Sequence, residues 1–203
     1  VNANPKAAYF DGIADQWDGW EDPGALNLKL DAGLEEFNIG ADETVLDVGC
    51  GTGNLTRALL SRLSADGRVV AVDISSRMID VARAKVPDPR VTWHVADVQR
   101  LPLADGSCDR VVCCAVWPHF DNREAVAAEL GRVMRSGGFL HVWHLIPRAR
   151  VNEIHASAGE AVRHDVLPPA RETARLLAAA GFEVLNAVET SDRYLVTATR
   201  RAS

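Results

Sequence analysis

Three glycines at alternate positions, Gly49, Gly51 and Gly53, separate the run Val45-Leu46-Asp47-Val48 from an amphipathic segment with Leu55, Leu59, Leu60 and Leu63 at helical spacing. That order reads as a buried strand, a tight turn and a helix start. Glycine has no Cβ, so the backbone there can bend sharply and approach a ligand closely. The helix start behind the turn offers N–H groups that have no partner within the helix. A nucleotide-type cofactor site is therefore expected at this loop. The dinucleotide fingerprint needs G-x-G-x-x-G and the phosphate loop needs G-x-x-x-x-G-K-[ST]. Here the third glycine comes one residue too early for the first pattern, and the second is absent.

Around this loop, apolar runs alternate with helical patterns. Strands are predicted at 44–48, 68–72, 91–95, 109–114 and 138–144, and helices at 53–63, 76–85 and 122–134. Residues 5–38 read as two helices. The first carries Tyr9, Phe10, Ile13, Ala14 and Trp17 on one face. Alternating strands and helices imply a mostly parallel sheet with helices on both faces. The end of the chain differs. A helix at 171–180 stops at Gly181, and strands at 183–190 and 193–199 are joined by the short turn Ser191-Asp192. So short a link requires antiparallel pairing, because parallel neighbours need a crossover.

The run D-x-G-x-G-x-G, Asp47 to Gly53, resembles the first motif of class I S-adenosylmethionine-dependent methyltransferases. Four further elements match that family in order over roughly 44–144. They are Val72-Asp73-Ile74, Ala96-Asp97-Val98, the strand ending at Cys114-Ala115, and the turn Ser136-Gly137-Gly138-Phe139. The opening Phe10-Asp11-x-Ile13-Ala14-x-x-Trp17-Asp18 is similar to the start of the subgroup that includes the ubiquinone and menaquinone C-methyltransferases and type 11 methyltransferase domains. Trp17 stands where that subgroup has Tyr.

The resemblance implies a Rossmann-like, doubly wound seven-stranded α/β sheet, mostly parallel with one antiparallel strand near the C-terminus. It implies one methyltransferase domain over 1–203: a helical cap at 1–40, a cofactor core at 44–144, a substrate lid at 145–170, and a last helix and hairpin at 171–203. The implied cofactor is S-adenosyl-L-methionine, with S-adenosyl-L-homocysteine as product. Gly49, Cys50, Gly51 and Gly53 would lie under its methionine part, and Asp47 would help hold the amino end. Asp73 would accept both ribose hydroxyls, an arrangement dinucleotide folds also use. Ile74 and Met78 would flank the adenine. Asp97 would pair with the adenine amino group and the Val98 backbone with a ring nitrogen. Tyr9, Trp17 and Cys114 complete the expected cofactor set.

Acceptor contacts are expected from Trp117 and His119 after the fourth strand, and from Arg148 and His155 in the link 145–170. Connections that long are usually functional or disordered. Within it, 149–162 reads as a helix. His119 and His144 are the candidate bases, histidine being the commonest proton acceptor in catalysis. His119, His144 and His155 are placed to converge, but no metal-ligand spacing accompanies them, so no metal is expected.

Net charge is −6 over 203 residues, with scattered cations, which argues against a nucleic-acid substrate. No apolar run approaches the ~20 residues of a membrane span. The first residues lack the basic-then-apolar pattern of a secretory signal. With four cysteines and no C-x-x-C pair, a reduced, cytoplasmic location is expected. The expected partner is a small-molecule methyl acceptor, for a monomer or homodimer. Two rivals remain open: a cofactor-binding sensor without turnover, and an NAD-dependent oxidoreductase.

Overall fold

A computed structural model describes residues 4–201 of the chain. They fall into two compact units, Val1–Ala96 and Asp97–Ser203.

The first unit runs α1 (Pro5–Ile13), a 3-10 stretch Ala14–Gly19, α2 (Pro23–Glu36), β1 (Thr44–Val48), α3 (Asn54–Leu60), β2 (Arg68–Asp73), α4 (Ser76–Lys85) and β3 (Val91–Val95). Its strands are parallel in the order β3-β2-β1. Val45, Leu46, Val69 and Ala71 are fully buried, as expected for parallel strands covered on both faces. Three helix starts are set by side-chain caps. Asn4 accepts from the Lys6 and Ala7 amides, Asp22 from that of Ala25, and Ser75 from that of Met78.

Two boundaries differ from expectation. The first helix does not continue through Trp17 but tightens to 3-10 geometry after Ile13. Residues three apart eclipse in that geometry. Asp15 and Asp18 thereby share an edge, and both pair with α4, Asp15 with Arg77 and Asp18 with Lys85. Helix α3 ends at Leu60 rather than 63. There the Ser61 hydroxyl takes the Ala58 carbonyl, a side-chain competitor for the backbone ladder.

The second unit runs β4 (Cys108–Cys114), a 3-10 turn Trp117–His119, α5 (Arg123–Val133), β5 (Met134–His144), α6 (Arg148–Ala156), α7 (Ala170–Ala179), β6 (Phe182–Glu189) and β7 (Tyr194–Arg200). Strand order is β4-β5-β7-β6. β4 and β5 are parallel, and β7 is antiparallel to both β5 and β6. β7 is thus the one reversed strand expected from the short Ser191-Asp192 link.

β5 begins at Met134, earlier than predicted, because the Gly-Gly turn is a bulge inside the strand. Met134 pairs with Cys108, and the register resumes with Phe139 opposite Arg110. A Cβ at Gly138 would sit 2.7 Å from the Asp109 carbonyl oxygen, so the bulge can close only on glycine. The helix predicted at 149–162 ends at Ala156. The Ser157 amide and hydroxyl both turn back onto the Glu153 carbonyl there.

Candidate functional site

At the end of β1 the chain turns through Gly49, Gly51 and Gly53, with φ of +66°, +52° and +82°. L side chains avoid this region, and only glycine enters it cheaply. The Gly49 and Cys50 amides both donate to the Val72 carbonyl, which fastens the loop to the tip of β2. Gly53 caps α3 in the left-handed conformation. A Cβ there would also lie 3.2 Å from the Ala82 Cβ and 3.3 Å from the Trp93 ring. Gly53→Val is therefore expected to cost about 2–5 kcal/mol, combining left-handed strain and overpacking. Chemical denaturation measures it, and a loss under 1 kcal/mol would show that the loop has another geometry.

Asp73 joins this loop to the next helix. One carboxylate oxygen accepts from the Gly51 amide and the other from the Ser75 amide, both at 2.9 Å. Asp47 is buried and accepts from the Thr56 hydroxyl at 2.6 Å. Burial raises its pKa to about 7; the Thr56 hydrogen bond opposes that rise and the Asp73 charge adds to it. A cation placed beside it, such as an amino-acid ammonium, would favour its charged form. Burial, followed by the Asp47 and Asp73 charges, also pushes the Cys50 thiol well up, which makes it an inert loop filler. Met78 is buried and Ile74 half-buried.

The N-terminal segment is tied to this loop and to α4 by two acids, Asp18 and Asp11, that the sequence reading quoted without giving them a role. Asp18 accepts from Thr52 (2.7 Å), Asn54 (2.9 Å) and Lys85 (2.7 Å). Lys85 also donates to Thr52 and Asn54, at 3.0 Å each. Burial opposes the Asp18 charge, yet these hydrogen bonds hold its carboxyl below the ordinary range. Asp11 accepts from the Ser75 hydroxyl and the Arg77 amide. Edge-to-face and tilted contacts link Tyr9, Phe10, Trp17 and Trp20. A Cβ at Gly51 would stand 4.0 Å from the Trp17 indole nitrogen. Lys85→Met is expected to loosen residues 5–20 by about 1 kcal/mol, roughly fivefold faster amide exchange. Unchanged exchange would show that the cluster is not a tie.

In the second unit, exposed Asp97 accepts from the Gln99 amide, and Val98 is buried. Cys114 ends β4, and Ala115 follows it at φ +56°, a strained non-glycine position of the kind that gathers at functional sites. Beyond lie Trp117 and His119. The His119 Nδ1 is 2.7 Å from Asp165 Oδ2, and its ring lies 4.8 Å from that of His155. The His155 Nδ1 donates to the Asp165 carbonyl at 2.7 Å. His144 packs edge-on against Tyr194, and the Tyr194 hydroxyl meets Thr173 at 2.7 Å. Burial, then the neighbouring His119 and His155, lower the His144 pKa to about 3. The histidines expected to converge are thus brought together. Among the described residues, no group of three His, Cys, Asp or Glu is arranged to hold a metal ion.

Arg148 pairs with Glu189. Its Nε donates to Glu189 at 2.6 Å, and Glu189 also accepts from the Ala170 amide. The link 145–170 is stapled at several points. Arg123 donates to the Val166 carbonyl, and the Asn152 side chain brackets both backbone groups of Leu167. The pairings of Asp165 with His119 and of Lys85 with Asp18 were missed because the partners lie 46 and 67 residues apart; of these residues only Asp18 was marked, by the D-x-I-A-x-x-W-D spacing.

A family profile described as methyltransferase domain matches residues 46–142. Among curated relatives, methyltransferase GfsG of Streptomyces halstedii is 29% identical over 76% of this chain and 58% of its own length. The ubiquinone/menaquinone biosynthesis C-methyltransferase UbiE of Bordetella avium is 30% identical over 82% of this chain and 68% of its own. A solved S-adenosylmethionine-dependent methyltransferase from Aquifex aeolicus superposes with a TM-score of 0.76 at 24% identity, covering 93% of this chain and 97% of that one. The fold is thus the Rossmann-like, mostly parallel seven-stranded α/β fold. The chain spans less than two thirds of most of these relatives' own length, 58% of GfsG, 36% of a malonyl-[acyl-carrier protein] O-methyltransferase from Hahella chejuensis and 24% of the biotin biosynthesis bifunctional protein BioHC of Teredinibacter turnerae. No helix among the described residues is long and apolar enough to cross a membrane.

Proposed function

The chain belongs to the class I S-adenosylmethionine-dependent methyltransferases, and on that premise we propose that it transfers a methyl group to a small-molecule acceptor. The observation that carries the reading is the three-glycine turn whose middle amide is held by Asp73. This cradle suits an amino acid joined to a ribose. Asp73 grips the ribose, Asp47 supports the ammonium, Ile74 and Met78 flank the adenine, and Tyr9 and Trp17 cover the loop. The bound cofactor supplies an electrophilic methyl carbon on a sulfonium. The protein then has chiefly to orient two reactants, which can remove several kcal/mol from the barrier.

His119 is the base of choice. Asp165 fixes its tautomer, whereas buried His144 is too weakly basic to hold a proton near neutrality. Trp117 and His155 are the acceptor contacts in this reading. A small organic acceptor accords with the acidic net charge and with the biosynthetic role in the name of UbiE. The reading places the protein in the cytoplasm, as a monomer or homodimer, without nucleic-acid or membrane partners.

The test is calorimetry with S-adenosylhomocysteine, followed by a labelled-methyl screen of small-molecule extracts. One-to-one binding and a labelled product support the reading. Binding with no product from any pool would favour a cofactor-binding protein without turnover.

A further inference from the structure

Asp47 stands at the foot of the glycine turn, 1% exposed, between the buried apolar residues Leu46 and Val48. Its Oδ2 accepts from the Thr56 hydroxyl at 2.6 Å. Among the described residues no Lys, Arg or His pairs with it. Two ionisable groups face it from other segments. Asp73, at the tip of β2, brings a like charge, and Cys50, in the turn, is a buried thiol held neutral. Helix α3 meets it through Thr56, while the next residue, Arg57, turns outward to Asn27 on α2. On α4, Lys85 is taken up by Asp18, Thr52 and Asn54.

The two acids of this loop are not equivalent. Asp73 accepts from two backbone amides, those of Gly51 and Ser75. Amides that donate to a carboxylate favour its charged form. Asp47 has only Thr56 on that side of the balance, and burial without a cation opposes its charge. Of two neighbouring carboxyls, the one worse supplied with donors keeps its proton more firmly, and that one is Asp47.

We propose that Asp47 couples cofactor binding to proton release: it is a neutral acid in the empty site and becomes a carboxylate when the ammonium of the cofactor's amino-acid end arrives beside it. The proposal rests on the methyl-transfer reading and adds a regulation to the same site. No bond to the ligand forms or breaks. The Asp47 O–H bond breaks, its electron pair stays on the carboxylate, and the proton passes to water. The empty site thus avoids a bare buried charge, and the filled one holds an ion pair. Affinity rises with pH until no proton is left to expel. With an Asp47 pKa of about 7 in the empty protein, binding at pH 6 releases about 0.9 proton and at pH 7 about half of one. From pH 7.5 to pH 6 the Kd for S-adenosylhomocysteine should rise about eightfold.

Calorimetry on the full chain, in buffers of different ionisation enthalpy, counts those protons. S-adenosylhomocysteine should release them. Methylthioadenosine, which keeps the nucleoside and the sulfur but lacks the amino-acid end, should release none, and its Kd should not vary with pH. Asp47→Asn should abolish release with S-adenosylhomocysteine and flatten its Kd between pH 6 and pH 7.5. Thr56→Val removes a donor that favours the charged form, so release at pH 7 should grow and the pH dependence should move upward. A direct titration covers the case in which a variant does not fold. Carbon NMR of carboxyl-labelled aspartate should show Asp47 titrating near neutrality in the empty protein and charged throughout pH 6 to 7.5 with S-adenosylhomocysteine bound. Three results would overturn the proposal and leave the methyl-transfer reading standing: an Asp47 carboxyl already charged at pH 6 in the empty protein, S-adenosylhomocysteine binding without proton release at that pH, or release that persists in Asp47→Asn. Absence of S-adenosylhomocysteine binding would overturn that reading, and the proposal with it.

Discussion

Lowering the pH from 7 to 4 is expected to destabilise this protein by about 3 kcal/mol, with most of the loss between about pH 6 and pH 4. Two buried histidines set the effect. His141 accepts from Arg110 through Nε2 at 2.8 Å, leaving Nδ1 to meet Thr197 at 3.1 Å. Burial, then the Arg110 charge, lowers its pKa to about 3 from the ordinary 6.5. His144 is lowered to about 3 as well, mainly by burial. In the unfolded chain both take protons near 6.5. Between that value and about 3 the unfolded state therefore binds more protons, and stability falls as pH falls.

Asp47 acts in the opposite sense. Its folded pKa of about 7 against 3.8 unfolded means that the folded state holds the extra proton, so its contribution shrinks as pH rises across that window. At 1.36 kcal/mol per unit, the two histidines cost roughly 7 kcal/mol between pH 6.5 and 4, and Asp47 returns roughly 4 between pH 7 and 4. The lowered carboxyls of Asp18, Glu129 and Glu189 add to the histidine side. The net loss from pH 7 to pH 4, about 3 kcal/mol, is a large fraction of the stability of an ordinary domain. Urea midpoints from pH 4 to 8 measure it. His144→Gln should remove most of the acid slope, because the His141 and Asp47 contributions then nearly cancel. A midpoint unchanged from pH 7 to pH 4 would show that these histidines are solvated.

Asp73→Ala is expected to weaken S-adenosylhomocysteine binding by about 1–3 kcal/mol through lost ribose hydrogen bonds. A second cost of similar size follows, because the Gly51 and Ser75 amides lose the acceptor that orders the loop and the start of α4. Loss of affinity and loss of stability should therefore appear together, the first at about five- to 150-fold in Kd. Asp73→Asn keeps one acceptor and should lie between the two. Calorimetry on folded Asp73→Ala decides: unchanged affinity would reject the ribose role, whatever the stability does.

The features legible in the sequence were those whose cause is local. The glycine spacing needs positive φ at three nearby positions, and the chain has glycine at all three. The two-residue Ser191-Asp192 link permits only antiparallel pairing, and β7 has it. What stayed hidden depends on distance along the chain. Asp165 meets His119 across 46 residues, and Lys85 meets Asp18 across 67. No periodicity carries such pairs. The end of α1 was misread because apolar residues three and four apart satisfy both 3.6- and 3-residue turns; the Asp15 and Asp18 pairs with α4 decide between them. The bulge in β5 looked like a turn before the strand because Gly137-Gly138 marks a bend without saying whether pairing resumes on both sides of it.

The most direct measurement is a crystal structure of this chain with S-adenosylhomocysteine. The predicted result has the ligand's amino-acid part over Gly49–Gly53 and both ribose hydroxyls within hydrogen-bond distance of the Asp73 carboxylate. A nucleoside lodged elsewhere, or a glycine turn filled by the protein's own side chains with Asp73 turned away, would contradict it.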